Sequence, residues 1–145
     1  MFGPARAATL VDTTTKEERM AGYTVKRIDE LASIHGGMVK LAADELGVEA
    51  FGLQVLDFPS GFSQYPEHDH SEDGQEEVYV VLEGSCSFEI AGERIDGEPG
   101  TLVAVEPATR RSLEPGDRGV RILAIGCARD GSYERPADFR VAAPS

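Results

Sequence analysis

Residues 65–84 read YPEHDHSEDGQEEVYVVLEG. The second half alternates in a way only a strand uses. Glu77, Tyr79 and Val81 fall on one face, Val78, Val80 and Leu82 on the other, because successive side chains of an extended chain point to opposite sides. A strand that is apolar on both faces at its centre belongs inside a closed or doubly covered sheet. Outward from it the same period recurs. FGLQVLDF (51–58) puts Phe51, Leu53, Val55 and Asp57 on one face and Gly52, Gln54, Leu56 and Phe58 on the other. Beyond Gly84, strands are predicted over Ser85–Ala91, 93–96, Thr101–Val105, Arg111–Leu113 and Val120–Ile125, with turns at Gly92, Gly97-Glu98-Pro99-Gly100 and Pro115-Gly116-Asp117. Short strands punctuated by Gly and Pro every 8–12 residues or so predict an all-β, antiparallel sandwich or barrel.

The N-terminal third is less regular. Tyr23–His35 suits a short strand followed by a short helical segment around Ile28–Ser33. Residues 38–50 favour helix by their Ala, Leu and Glu content, against a β-rich neighbourhood. Residues 1–20, with a Thr run and the charged KEER, are expected to form a flexible extension. Residues 21–145 are expected to form one domain with its core over about 50–127, and the polar tail from Asp130 to wrap its outside.

Composition narrows the function. At 145 residues with a formal net charge of −12, the chain lacks the clustered Lys and Arg of a nucleic-acid face; its adjacent basic residues are the two isolated pairs Lys26-Arg27 and Arg110-Arg111. No apolar run approaches the roughly 20 residues that span a bilayer, and the first residues do not read as a secretory signal. The expected location is therefore cytoplasmic, with Cys86 and Cys127 as free thiols. Cys86 shares strand parity with Phe88 and Ile90, as a small core residue would. Neither a Gly-rich phosphate loop nor a paired Cys-x-x-Cys is present.

His68 and His70 carry the chemistry. Two apart in an extended segment, they share a face about 7 Å apart along the chain, at roughly 3.3 Å per residue. The pair Asp73-Gly74 favours a tight turn, bringing Glu77 back alongside them. Two imidazoles and a carboxylate suit a divalent ion such as Fe, Mn, Ni or Zn. The acidic neighbours Glu67, Asp69, Glu72, Asp73 and Glu76 read as a solvated loop.

The stretch resembles the first motif of the cupin superfamily: Gly, about five residues, His-x-His, three or four residues, Glu, six residues, Gly. Here Gly61 is followed by six residues, His68-Asp69-His70, six residues, Glu77, six residues and Gly84. The resemblance covers about residues 50–127 and implies a jelly-roll β-barrel. It also implies a metal on His68, His70 and Glu77, a small-molecule ligand, and a homodimer formed through barrel strands. The family's second motif reads Gly, five residues, Pro-x-Gly-x-x-His. It aligns with Gly100 to Ser112, with Thr109 in the Gly place and Ser112 in the place of a fourth ligand, and no histidine follows His70. Gln54, Tyr79, Arg110, Arg111 and Ser112 are candidate pocket residues, the arginines as clamps for an anionic group. Two functions remain open: a metal-dependent oxygenase, isomerase or decarboxylase of a small polar molecule, or a metal-free cupin serving as a ligand-binding or interaction module.

Overall fold

The computed structural model describes residues 21–141; the expected extension over 1–20 lies outside them. Seven strands form one antiparallel sheet: β1 (Ser33–Ile34), β2 (Val39–Lys40), β3 (Gly52–Phe58), β4 (Gln75–Ile90), β5 (Glu93–Gly97), β6 (Leu102–Val105) and β7 (Arg111–Ala128). Among the described residues helical structure is confined to short pieces. These are a 3-10 turn at Ile28–Glu30, the five-residue α1 (Ala42–Leu46) and a 3-10 turn at Ala137–Phe139. No helix among the described residues is long and apolar enough to cross a membrane.

The spine is the pair β4–β7, which run antiparallel from Gln75 opposite Ala128 to Ile90 opposite Arg111. The free edge of β4 carries β6 along Glu77–Val80 and then β5 along Cys86–Ile90. The far edge of β7 carries β3, and beyond it β2 and β1. Bent over itself, the sheet encloses Leu56 and Phe58 from β3, Tyr79, Val81, Cys86 and Phe88 from β4, and Leu113, Val120, Ile122 and Ala124 from β7. This is the all-β jelly-roll arrangement, curled rather than closed edge to edge. Its outer face is sealed where Leu31 and Ala42 of the N-terminal segments pack on Val55.

Two sequence-predicted stops are not stops. Gly84 and Pro115-Gly116-Asp117 lie inside the continuous strands β4 and β7. The register of the pair slips between Val81 and Glu83 and again between Gly84 and Cys86, which makes this the bulged corner where the sheet bends. Gly84 has φ +73°, and a Cβ there would sit 2.1 Å from the Gly119 carbonyl oxygen. The glycine thus permits a close backbone crossing inside a strand. The ambiguous segment 38–50 resolves into β2 and α1, closed by Gly47 in the left-handed conformation.

Candidate metal centre

Glu77 lies on the inward face of β4, two residues before the buried Tyr79 and four before Val81. The histidines approach from a different direction than the expected hairpin with β4. The His68 amide donates to the Arg111 carbonyl (3.0 Å) and the Arg111 amide to that of His68 (2.9 Å), and the His70 amide donates to the Pro107 carbonyl (2.7 Å). The segment is thus pinned to the start of β7 and reaches Glu77 across the interior. One donor atom from each of His68, His70 and Glu77 falls within 4.8 Å of the others, and the imidazoles meet edge to face at 5.2 Å.

The outer nitrogens are already engaged. His68 Nδ1 lies 3.0 Å from the Pro66 carbonyl, and His70 Nδ1 lies 3.0 and 3.2 Å from the two Asp73 carboxylate oxygens. Neither acceptor can donate, so both Nδ1 atoms carry a proton and, in the neutral rings, the lone pair lies on Nε2. Those lone pairs face the Glu77 Oε1 at 3.9 Å (His68) and 3.3 Å (His70). His70 Nε2 is buried and has no hydrogen-bond partner among the described residues. Three electron-rich atoms turned toward one another require a cation or a proton between them. In the metal-free protein a proton serves, and the Glu77 contact raises the pKa of His70 against the opposing effect of burial. The donor set is the one a divalent transition ion takes, with outer partners that fix the ring tautomers.

Glu77 is held on its other side as well. The Tyr79 hydroxyl donates to Oε1 at 2.8 Å and lies 3.3 Å from the Tyr65 hydroxyl. Burial pushes both phenols up, Tyr65 to about 12, so both remain protonated. Burial alone would also raise the Glu77 carboxyl. Contacts with His70, Tyr79 and the Arg111 charge outweigh it and hold Glu77 below the usual range.

No family model matches the sequence, nor does any curated protein. Solved structures do match in backbone. A cupin protein from Bacteroides fragilis is 20% identical, with a TM-score of 0.61 over 86% of this chain and 98% of that one. A putative sugar phosphate isomerase from Acidithiobacillus ferrooxidans is also 20% identical, with a TM-score of 0.53 over 79% and 73%. KdgF from Halomonas sp. is 16% identical, with a TM-score of 0.50 over 56% and 71%. The chain has the cupin fold.

Within this fold the other candidate residues separate. Tyr79 stands at the site. Gln54 is on the inward parity of β3, in the row that runs through Ala124 to Tyr79. Arg110 is exposed on the rim, near Glu67 (3.5 Å) and Asp69 (3.8 Å). Ser112 pairs with Glu89 and lines a surface depression with Ser85 and Glu114, on the opposite face from Arg111. Arg111 turns inward, its side chain 1% exposed, and brings its Nε to 3.9 Å from Glu77 Oε1. The residue beside Glu77 at the start of β7 is therefore a buried guanidinium. Two participants escaped the sequence reading. Asp73 belongs by composition with the solvated acids, although its spacing of three from His70 across a turn is a usable signal, and Tyr65 carries no periodic signal at all.

Proposed function

We propose that this protein is a small-molecule-binding cupin that holds one divalent metal ion through His68 Nε2, His70 Nε2 and Glu77. The observation that carries the reading is the pair of Nδ1 hydrogen bonds, to Pro66 and Asp73, which directs the Nε2 lone pairs of the neutral rings toward a carboxylate. When bound, the ion supplies Lewis acidity toward an oxygen of the bound molecule. The chain's own residues do the rest. Asp73 and the Pro66 carbonyl fix the imidazole orientations, Tyr79 fixes the carboxylate, and the buried phenols of Tyr65 and Tyr79 keep bulk water from the inner side. Because His70 must lose its second proton to bind, metal affinity falls as pH is lowered through the raised pKa of that ring. The chemistry this arrangement suits is transformation of a small polar organic molecule by oxygenation, isomerisation or decarboxylation. Three protein ligands leave room on the ion for such a molecule.

In the metal-free alternative a protonated His70 at 3.3 Å and the Arg111 guanidinium at 3.9 Å would together balance Glu77. Elemental analysis of protein purified without added metal tests the proposal. About one ion per chain is expected, falling below about 0.1 in His70→Ala and Glu77→Ala. A wild-type content below about 0.1, with a melting temperature indifferent to chelator and to added ions, overturns it.

A further inference from the structure

Among the described residues Arg111 is the largest fully buried side chain. A guanidinium has five N–H donors and no acceptor, and an uncompensated buried charge costs several kcal/mol. Only Nη2 is engaged, with the carbonyls of Glu106 (3.1 Å) and Val105 (3.5 Å). Nε and Nη1 are buried without a hydrogen-bond partner among the described residues. The nearest carboxylate oxygen, Glu77 Oε1, is 3.9 Å from Nε and already accepts the Tyr79 hydroxyl. Arg111 is therefore beside Glu77 without being its hydrogen-bonded partner.

Charge counting says what the guanidinium is for. Two neutral imidazoles and one carboxylate leave a divalent ion with one net positive charge, and Arg111 adds a second within the same shielded space. At low effective dielectric two such charges repel strongly, and a bound anion lying between them relieves both. We propose that the ligand of this site is a small oxyanion, a carboxylate or phosphate group, that touches the metal on one side and Arg111 Nε and Nη1 on the other. The inference rests on the metal reading above. Planar oxyanions match the guanidinium in geometry as well as charge. Arg111 is then a specificity-determining residue, and metal and oxyanion each tighten the binding of the other.

The test measures Mn(II) affinity from the electron-paramagnetic signal of the free ion, without additive and with glycolate, inorganic phosphate or uncharged ethylene glycol. In the wild type, one or both oxyanions should tighten Mn(II) binding by at least about tenfold while ethylene glycol does nothing. Comparing glycolate with phosphate identifies which oxyanion is preferred. Arg111→Met should bind Mn(II) with the oxyanion effect reduced to about twofold or less. If that variant does not fold, Arg111→Lys keeps the charge but loses the fork, and should reduce the effect at least about threefold. An undiminished effect in the variant, or an equal response to ethylene glycol, overturns the proposal. Wild-type Mn(II) binding that ignores both oxyanions overturns the oxyanion proposal alone, whereas no Mn(II) binding in any condition overturns the metal reading with it.

Discussion

The contact between Tyr79 and Glu77 gives the most direct quantitative test of how the site is built. Tyr79→Phe removes one hydroxyl and leaves the ring, 1% exposed, packed against Phe88 at a centroid distance of 5.7 Å. What is lost is a 2.8 Å hydrogen bond to a carboxylate with 15% side-chain exposure, together with the longer 3.3 Å contact to Tyr65. A hydrogen bond to a charged group contributes about 1.5–3 kcal/mol, and the small residual exposure of Glu77 places this one near the middle, about 2 kcal/mol. The clean measurement is a double-mutant cycle with Glu77→Gln in chelator-treated protein, by urea denaturation. The coupling energy should be about 1.5–2 kcal/mol, and Tyr79→Phe alone should lower the melting temperature by about 8 °C for a domain of this size. A coupling below about 0.5 kcal/mol would show that the phenol does not hold the carboxylate, and the account of why Glu77 stays ionised while buried would fail.

Asp73→Ala should weaken metal binding by about tenfold, the low end for an outer partner of a ligating histidine, because Asp73 is half exposed. A chelator-competition titration with unchanged affinity would remove Asp73 from the site. Gly84→Ala should cost at least about 3 kcal/mol, combining the left-handed backbone penalty with a Cβ forced against the Gly119 carbonyl; a thermal melt within a degree or two of wild type would contradict the bulged-corner geometry. Arg121 grips Asp57 with two 2.8 Å bonds and lies 3.0 Å from Asp29. Its hydrogen bond depresses the Asp57 pKa, against burial and with help from the Arg121 and Lys40 charges. A depressed carboxyl stabilises the fold above its ordinary value of about 4 and loses that contribution as pH falls below it. Arg121→Met should therefore lower stability at neutral pH by about 1–3 kcal/mol and flatten the acid limb of the stability profile. An acid limb as steep as that of the wild type would mean the pair is not linked to folding.

The β architecture was legible because period two is a local property. Tyr79 and Val81 are inward and buried as their alternation requires, and Cys86 and Phe88 continue the same face. Strand ends were less legible. Gly84 and Pro115-Gly116 punctuate a sequence equally well as turn or as bulge, and the difference lies in what stands opposite. Gly84 faces the Gly119–Val120 backbone, which is remote in sequence. The same holds at the site. Strand parity placed His68 and His70 on one side and Glu77 with Tyr79, and the structure brings the three donor atoms together. The route differs, since the histidine segment is bonded to Arg111 and Pro107 rather than to β4. The structure places Asp73 at His70 Nδ1 through a turn in which the Gly74 amide donates to the His70 carbonyl (2.8 Å). That is a three-dimensional consequence of an acidic loop whose composition suggested only solvation.

The choice between Arg111 and Ser112 at the inner face has a single physical cause. Motif spacing aligned Ser112 with a fourth ligand, but the face a side chain takes is set by pairing, and a slip of one residue exchanges every side chain between faces. The turn closed by the Thr109 amide on the Glu106 carbonyl (3.1 Å) and the reciprocal bonds between His68 and Arg111 fix β7 so that Arg111 and Leu113 point inward. Ser112 then has to point outward. The same two hydrogen bonds that position His68 beside Glu77 also deliver a cation to that carboxylate. The guanidinium is therefore coupled to the candidate metal site by the register of one bridge. Removing its charge while keeping the bridge, as Arg111→Met does, separates the contribution of the cation from that of the fold.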